Sequence, residues 1–327
     1  MKLSDIGEFG LIERLAAIVG PAKHDDVIVG IGDDAAVWRS GDEYLIATTD
    51  TMVEGVHFLA GAPWEDIGWK AMAVNVSDIA AMGGWPRYAL VTLCLPPDTD
   101  IQAIEQLYDG LNTYARMCAI RVIGGDTVRA NNVTITVTVI GRAEQLEGEP
   151  LLLRRDAAKP GDVIAVSGML GDSAAGLRRL REGAPPSDEL ASRHLRPTAR
   201  LAEGVVAVQT GLRCGIDVSD GLLQDIGHIC KRSNIGAVLN AADIPISDEL
   251  RLAYPGDALR LACTGGEDYE LVLIGAADLI QATEDELGEG ALTIIGEIVK
   301  DYDRRVRVID DAGKEMRFER PGWDAFR

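Results

Sequence analysis

The chain has 327 residues, of which 47% are hydrophobic, so it can bury a substantial core and is long enough for about two domains. It carries 32 basic and 52 acidic residues, a net charge of -20, which argues against binding a nucleic acid or an anionic membrane by bulk attraction. No apolar run approaches the roughly 20 residues that cross a bilayer, so we expect a globular protein that does not enter the membrane.

The N-terminus and the cysteines indicate a cytoplasmic location. Acidic residues stand in MKLSDIGEFGLIERL where a secretory signal peptide would carry its apolar stretch. The five cysteines, at positions 94, 118, 214, 230 and 263, are an odd number and form no C-x-x-C pair. We therefore expect reduced cysteines that serve as packing residues in a cytoplasmic protein.

Predicted strands alternate with predicted helices along the chain. Strand-like runs such as EYLIATTD (43–50), YALVTLCLP (88–96) and VTITVTVIG (133–141) alternate with the helical stretches DIGWKAMAVNVSDIAAMG and IQAIEQLYDGLNTYARMC. The second half begins with the strand VIAVSG (163–168) and continues with units such as GIDVSDGLLQDIGHICKR. This alternation predicts the α/β fold class in an α+β layout.

A domain boundary is expected near residue 145. Between residues 142 and 162 the pattern loosens into RAEQLEGEPLLLRRDAAKPGD, whose charged, Pro- and Gly-containing composition is typical of a domain junction. We therefore predict an N-terminal domain over residues 1–145 and a C-terminal α/β domain over residues 146–327.

The glycine-rich loop SGMLGDSAAGL (167–177) is not a P-loop. The P-loop pattern G-x-x-x-x-G-K-[ST] requires a lysine that this loop lacks. We expect a plain strand-to-helix turn here, with Asp172 or Ser173 as the helix N-cap.

Acidic residues end several apolar runs, each beside Gly, Ser, Thr or Asn. They are Asp33 and Asp34 in GIGDD, Asp50 in TTDT, Asp78 in NVSD, Asp126 in IGGDT, Asp217 and Asp220 in DVSDG, and Glu267 and Asp268 in GGED. One such motif is usually a turn or a helix cap, but this chain has six. Because ligands bind beyond the strand ends of an α/β sheet, acids at several strand ends can converge there.

Carboxylates that converge repel one another, and they persist together when cations separate them. No His or Cys spacing suggests zinc, so Mg²⁺ shared between carboxylates and substrate phosphates is the expected ion. The glycines of GIGDD and IGGDT would let backbone N–H groups approach phosphate oxygens closely. Asp78 is expected on a helix, where it shares a face with Asn75.

Several motifs together resemble the thiamine-monophosphate kinase family. They are GIGDDAAV, ATTDTMVEGVHF, KAMAVNVSDIAAMGGWP, IGGDT, LLRRDAAKPGDVIAVSGMLGDSAAGL, IDVSDGLLQDIGHI, TGGEDYEL and a closing GWDAF, and they cover nearly the whole chain. GGDT or DVSDG alone would identify only the wider superfamily of aminoimidazole ribonucleotide synthetase and selenophosphate synthetase. The resemblance implies phosphorylation of thiamine monophosphate by ATP, as the last step of thiamine diphosphate biosynthesis. It also implies a two-domain aminoimidazole ribonucleotide synthetase-like fold that pairs through its N-terminal domains in a homodimer.

The resemblance also implies roles for individual residues. Several Mg²⁺ ions would be bound by Asp34, Thr48, Thr49, Asp50, Asp78, Asp126, Asp217 and Asp220, and Asp33 could share the role of Asp34. The nucleotide would contact Gly125, Asp126, Arg155 and Ser219, and the thiamine phosphate would contact His57, Glu267 and Trp323.

The chemistry agrees with these residues. Phosphoryl transfer depends on positioning and charge neutralisation, and a phosphate nucleophile, with a second pKa of about 6, is already largely ionised at neutral pH. No general base is required, which fits a chain with only four histidines. ATP, a phosphate monoester and an acidic enzyme repel one another, so two or more Mg²⁺ ions are expected.

Several alternatives remain open from the sequence. His57 could pack in a loop, Trp323 could latch the C-terminal tail, and His194 is expected to be structural. Ser219 or Asp220 could simply cap a helix. Selenophosphate synthetase is disfavoured because the first cysteine is Cys94, and aminoimidazole ribonucleotide synthetase is disfavoured by GWDAF and EGVHF. From a different class, the chain could be an acidic cation-binding protein without catalysis.

Overall fold

The computed structural model describes residues 2–20 and 26–326. The first half consists of helix α1 (Leu3–Val19), strands β1 (Val27–Val29), β2 (Ala36–Ser40) and β3 (Glu43–Val53), helix α2 (Trp64–Ala81), strand β4 (Gly84–Leu95), helix α3 (Ile101–Met117), and strands β5 (Arg121–Arg129), β6 (Thr134–Leu146) and β7 (Glu149–Leu151). Within these ranges the strands form one sheet in the order β1-β2-β3-β6-β4-β5, and β7 pairs with β6.

The second half forms another sheet surrounded by helices. Its elements are β8 (Val163–Ser167), α4 (Asp172–Arg181), α5 (Glu189–Leu195), α6 (Leu201–Thr210), β9 (Cys214–Asp217), α7 (Leu222–Ser233), β10 (Gly236–Asn240), α8 (Asp248–Ala253), α9 (Ala258–Thr264), β11 (Leu271–Gly275), α10 (Ala277–Leu287), β12 (Leu292–Val299), β13 (Val306–Ile309) and β14 (Glu315–Met316). The sheet order is β14-β13-β10-β12-β8-β11-β9. The α/β class in an α+β layout is thereby confirmed, while the boundary near residue 145 stays a prediction.

The first sheet buries one face and leaves the other uncovered. Side chains alternate along β6, so that Ile135, Val137 and Val139 are buried in the core that includes residues of α2 and α3. On the opposite face of β4, Tyr88 and Leu90 are 40% and 38% exposed. The sheet therefore has the one-sided burial that is common in antiparallel sheets.

Helix α2 is buried almost along its whole length, and it contacts both halves. A Cβ on Gly68 would lie 1.8 Å from the backbone oxygen of Leu107, so α2 and α3 touch backbone to backbone. A Cβ on Gly204 of α6 would lie 2.1 Å from the oxygen of Ala80 at the end of α2. These close approaches fix the helix that carries Asp78 between the two sheets.

Within residues 2–20 and 26–326, every helix is too short or too polar to cross a lipid bilayer.

Candidate functional site

The carboxylates of Asp34, Asp78 and Asp217 lie within 4.8 Å of one another, and these three residues are called the acid cluster below. Asp34 lies in the GIGDD turn that follows β1, Asp78 lies on α2, and Asp217 ends β9. Acids from both halves of the chain therefore meet at one point, and Asp78 is on a helix as expected.

Two hydroxyl groups hold the acid cluster in place. Oγ1 of Thr48 on β3 donates a hydrogen bond to Oδ2 of Asp78. Oγ of Ser77 on α2 donates to Oδ2 of Asp217 at 2.6 Å. A hydroxyl donates only one hydrogen, so both carboxylates keep lone pairs for a further ligand.

Asp50 lies two residues after Thr48 on β3, and alternation along a strand places both on one face. Its backbone N–H donates to Oδ1 of Asn75 at 2.9 Å, which ties the end of β3 to helix α2. The polar residue that shares a face with Asp78 thus positions the strand that carries Asp50.

Burial and mutual repulsion raise the pKa values of these acids. Burial first, and then the charge of Asp34, raises the pKa of Asp217 to about 8. Burial, followed by Glu8 and Asp34, raises the pKa of Asp50 to about 6. Burial, followed by Asp50 and Asp217, raises the pKa of Asp78 well above its ordinary value. The site therefore disfavours its own full ionisation, and a bound cation would favour it.

The donor set fits a hard divalent cation. The acid cluster and the adjacent Thr48 and Asp50 offer carboxylate and hydroxyl oxygens. Oxygen ligands suit Mg²⁺, whereas zinc prefers imidazole and thiolate. The carboxylates are also close enough together for one ion to contact more than one of them.

Arg155 reaches the GIGDD turn from the second half of the chain. Its Nη2 donates to Oδ1 of Asp34 at 2.5 Å, and its backbone N–H donates to Oδ1 of Asp33 at 3.3 Å. Asp33 also accepts from the backbone N–H of Asp34 at 3.3 Å. Asp33 thus holds the turn and the Arg155 backbone, while Asp34 joins the acid cluster. This arrangement explains why two aspartates stand side by side.

Two cavities border the acid cluster. The first has a volume of about 620 Å³, and among the residues that line it are Asp50, Asp78, Asp217, Ser219, Asp220, His57, Glu267 and Trp323. The second has a volume of about 670 Å³, and among the residues that line it are Asp34, Thr48, Thr49 and Arg155. Asp78 and Asp217 line the first cavity, and Asp34 lines the second. Because these three carboxylates lie together, the acid cluster lies between the two cavities.

His57 and Glu267 lie together at the wall of the first cavity. Nδ1 of His57 accepts a hydrogen bond from the backbone N–H of Val53 at 3.0 Å. Burial lowers the pKa of His57, although the nearby Glu267 opposes this, so the ring is neutral near pH 7. His57 is therefore both packed in its loop and in reach of a bound molecule.

Sequence reasoning missed Lys70, whose Nζ lies 2.8 Å from Oε1 of Glu267. The signal was a single lysine among the small and apolar residues of GWKAMAVNV, since a lysine inside a buried helix needs a partner. His194 lies against the same pair, 3.5 Å from Lys70, and its Nδ1 is 3.0 Å from Oγ of Ser173. His194 is buried behind the cavity wall, in keeping with the expected structural role.

Trp323 lies on the C-terminal tail, which docks on the DVSDG turn. Its backbone N–H donates to the oxygen of Asp220 at 2.9 Å, and its own oxygen accepts from Nε2 of Gln224. Asp324 accepts from the backbone N–H of Glu8 on α1 at 3.1 Å. The tail is thus latched by its backbone, while the indole lines the first cavity and is 53% exposed.

The expected caps of α4 are wrong. Helix α4 begins after Gly171, whose φ is 86°, a conformation that glycine adopts without strain. The carboxylate of Asp268 accepts from the N–H groups of Gly171 and Ser173 at 2.7 and 3.0 Å. Asp172 instead accepts from Oγ of Ser247 at 2.5 Å. An acid from the GGED motif therefore caps this helix across a long sequence separation.

The cap reading of DVSDG is wrong as well. Helix α7 begins after Gly221, and Oδ2 of Asp225 accepts from the N–H groups of Asp220 and Gly221 at 3.2 and 2.9 Å. Because Asp225 performs the capping, the side chains of Ser219 and Asp220 are left to line the first cavity.

Gly125 and Asp126 lie apart from the acid cluster. They are on the edge strand β5, and β4 and β6 separate them from β3. With strands about 4.8 Å apart, that separation is roughly 14 Å. A Cβ on Gly125 would lie 1.8 Å from the oxygen of Val91, so glycine lets β5 approach β4 here. Within one chain, these two residues do not join the other predicted ligands.

Comparisons with known proteins cover nearly the whole chain. Residues 32–143 match the AIR synthase related protein, N-terminal domain, and residues 159–309 match its C-terminal domain. The thiamine-monophosphate kinase of Aquifex aeolicus (strain VF5) is 38% identical over 279 residues, which are 83% of this chain and 87% of the relative. That of Escherichia coli (strain K12) is 38% identical over an alignment of 338 positions, which covers 98% of this chain and 98% of the relative. The solved structure described as AaThiL complexed with AMPPCP and TMP matches with a TM-score of 0.85 and 33% identity, covering 99% of both chains.

Proposed function

This chain belongs to the thiamine-monophosphate kinase family, and from that premise we propose how its two cavities and acid cluster transfer a phosphoryl group from ATP to thiamine monophosphate. The product is thiamine diphosphate, and the enzyme is a phosphotransferase with a phosphate group as acceptor. The family and the two-domain AIR synthase-like fold predicted from the sequence are confirmed. The observation that carries the mechanism is the position of the acid cluster between the two cavities.

Several Mg²⁺ ions are proposed at this position. Their ligands would be Asp34, Thr48, Thr49, Asp50, Asp78, Asp217 and Asp220, joined by Asp126 of a second copy of the chain. Bound there, the ions would neutralise the phosphate charges that develop during transfer. The chain contributes buried oxygens held by Ser77 and Thr48, so little reorganisation is needed when the ions bind.

Arg155 and Ser219 are proposed to hold the phosphates of ATP. Arg155 lines the second cavity, and its guanidinium already lies beside the acid cluster. A guanidinium can give a phosphate two parallel hydrogen bonds, which fixes orientation as well as charge. Ser219 lines the first cavity beside Asp217 and Asp220, where the terminal phosphate of ATP would meet the acceptor.

His57, Glu267 and Trp323 are proposed to hold thiamine monophosphate in the first cavity. The half-exposed indole of Trp323 offers a face on which a cationic thiazolium or a pyrimidine ring can stack. Glu267 supplies a carboxylate, and neutral His57 supplies a hydrogen-bonding ring. The phosphate of the acceptor is already ionised, so none of these residues needs to act as a general base.

A homodimer is proposed on the uncovered face of the first sheet. Trp85, Tyr88, Leu90, Ile123 and Val128 are exposed on β4 and β5. An apolar surface of this kind indicates a partner, and a second copy would also bring Gly125 and Asp126 to a site they do not reach within one chain. The predicted domains, residues 1–145 for dimerisation and Mg-ATP and residues 146–327 for completing the cleft, are part of this proposal.

A cytoplasmic location is proposed as well. All five cysteines are free, three of them buried, which suits a reducing compartment.

The proposed reaction is tested by incubating the purified chain with thiamine monophosphate, ATP and Mg²⁺, and measuring thiamine diphosphate and ADP by chromatography. We expect equal amounts of both products, with neither product formed when EDTA is in excess over Mg²⁺. Binding of divalent ions without turnover would instead identify the chain as a cation-binding protein.

A further inference from the structure

Lys70 is a buried charge that the proposed mechanism does not use. Its side chain on α2 is 2% exposed. Its Nζ lies 2.8 Å from Oε1 of Glu267, 3.1 Å from the backbone oxygen of His57 and 3.5 Å from Nε2 of His194. An ammonium group has three N–H donors, and each of these neighbours takes one direction.

The geometry excludes direct contact between Lys70 and a ligand in the first cavity. Glu267 and His57 line that cavity, and Lys70 lies behind them within α2. The ammonium is anchored by the backbone oxygen of His57 and by the ring of His194, which is buried and hydrogen-bonded to Ser173. Lys70 is therefore held in place from two sides, and Glu267 is the partner that reaches the cavity.

Glu267 needs such a support. It lies in the GGED turn with a φ of 69°, a left-handed conformation that is uncommon outside glycine and persists only where the surroundings impose it. Its backbone N–H donates to the oxygen of Ser219 at 2.7 Å. Its side chain is 24% exposed, so the carboxylate is shared between Lys70 and the cavity.

We infer that Lys70 is a positioning residue that holds the carboxylate of Glu267 against the first cavity, where the carboxylate meets the positively charged ring system of the acceptor. This inference rests on the proposed function. The inference adds a cause for substrate preference to the proposed function. The enzyme would prefer a phosphate ester with a cationic heteroaromatic ring because of the ion pair between Lys70 on α2 and Glu267 in the GGED turn. Arg155, the proposed ATP contact, lines the second cavity on the other side of the acid cluster, so we expect ATP binding to depend little on this pair.

The electrostatics support the assignment. Burial raises the pKa of the Glu267 carboxyl, but the charge of Lys70 opposes burial, and the pKa lies below its ordinary value. His194 itself stays neutral, because burial and the charge of Lys70 lower its pKa to about 3. Lys70 is thus the cation that keeps Glu267 ionised, and the carboxylate is the end of the pair that faces the ligand.

The test is a double-mutant cycle on Lys70 and Glu267, in which the KM for thiamine monophosphate and the KM for ATP are measured separately for each variant. Lys70→Met keeps an unbranched side chain and removes the charge. We expect it to raise the KM for thiamine monophosphate about tenfold while leaving the KM for ATP within about twofold. Glu267→Gln should raise the same KM, and adding Lys70→Met to Glu267→Gln should change it by less than about twofold further.

Asp66→Asn is the matched control, because Asp66 is a buried acid on the same helix whose partner Arg196 lies away from both cavities. It should leave both KM values unchanged. An unchanged KM for thiamine monophosphate in Lys70→Met, full additivity in the double variant, or an equal rise in Asp66→Asn would each overturn the inference. If Lys70→Met does not fold, comparison of Glu267→Gln with the double variant decides alone, since the latter has no unpaired buried charge. A parent enzyme without activity would overturn the proposed function instead.

Discussion

Asp78 and Asp217 come from different halves of the chain, and their carboxylates lie within 4.8 Å of each other and of Asp34. Burial and like charges raise the pKa values of Asp78 and Asp217, and Arg155 forms a direct ion pair with Asp34. A fold optimised only for stability would not place these groups together. Their arrangement is therefore explained by a ligand that brings positive charge.

Asp217→Asn and Asp220→Asn separate a ligand role from a structural one. Asparagine keeps the shape and cannot ionise, and burial already disfavours the charged form of both acids, so the melting temperature without ligand should be equal to that of the parent or higher. Activity should fall by at least about 100-fold, because a metal ligand is lost. The stabilisation that Mg-ATP gives the parent should also disappear, which differential scanning calorimetry measures.

Normal turnover in both variants would show that the reaction does not depend on these two acids. Asp225→Ala is a useful comparison, because it removes the side-chain oxygen that accepts from the N–H groups of Asp220 and Gly221 at the start of α7. It should lower stability more than the other two substitutions do.

His194 gives a pH dependence with a defined sign. Its pKa is about 3 in the folded protein, lowered by burial and then by Lys70, against about 6.5 in the unfolded chain. Stability from this group is therefore complete above pH 6.5 and is lost as the pH falls from 6.5 toward 3. Between pH 7 and pH 5 the parent should therefore lose about 2 kcal/mol more free energy of unfolding than His194→Gln does.

Urea unfolding of the parent and of His194→Gln at the two pH values measures this difference. The contributions of all other groups are the same in both proteins and cancel when the two losses are subtracted. Equal losses in the two proteins would mean that folding does not lower the pKa of His194.

Long, regular elements were predictable, whereas long-range side-chain contacts were not. The helix expected over residues 66–83 runs from Trp64 to Ala81, and the one over 101–118 runs from Ile101 to Met117. Their periodicity is local, and so is the strand pattern of residues 43–50 within Glu43–Val53. The cap of α4 by Asp268 was not predictable, because no local pattern shows which distant acid reaches a helix end.

The site followed the same rule. Acids at strand ends could be found because each stands in a short motif, but Lys70 pairs with a residue far along the chain, and its role depends on that contact. The sequence also could not show that Asp126 lies on an edge strand separated from β3 by two others, because sheet order is a property of long-range pairing.

Two glycine-to-alanine changes should have opposite effects, because Gly68 lies at the close contact between α2 and α3 and Gly227 in α7 has open space around it. A Cβ on Gly68 would lie 1.8 Å from the oxygen of Leu107, so Gly68→Ala should push α3 away and lower the free energy of unfolding by about 2 kcal/mol. In α7 a Cβ on Gly227 would meet nothing closer than 4.0 Å. Gly227→Ala should therefore stabilise the protein by up to about 1 kcal/mol.

Chemical denaturation measures both changes. A stabilising Gly68→Ala would show that α2 and α3 are farther apart than described, and Asp78 would then lack the fixed support inferred for it.

The protein as a whole is expected to be a homodimer in solution. Leu90 is exposed on the uncovered face of the first sheet, and an acidic residue there would have to be buried without a partner in the interface. Leu90→Asp should halve the mass measured by light scattering at micromolar concentration and should lower activity, because Asp126 of the second copy is removed.

Leu252→Asp is the control, since Leu252 is 83% exposed on α8 in the other half of the chain. It should keep the parent's mass and activity. A parent that already has the mass of one chain, with full activity, would contradict the dimer.

Anomalous diffraction from Mn²⁺, which prefers the same oxygen ligands as Mg²⁺, examines the acid cluster itself. Crystals would be grown with a non-hydrolysable ATP analogue and thiamine monophosphate. We expect at least two anomalous peaks within coordination distance of Asp34, Asp78 and Asp217, with the two ligands in the separate cavities. A ternary complex without a peak at these carboxylates would contradict it.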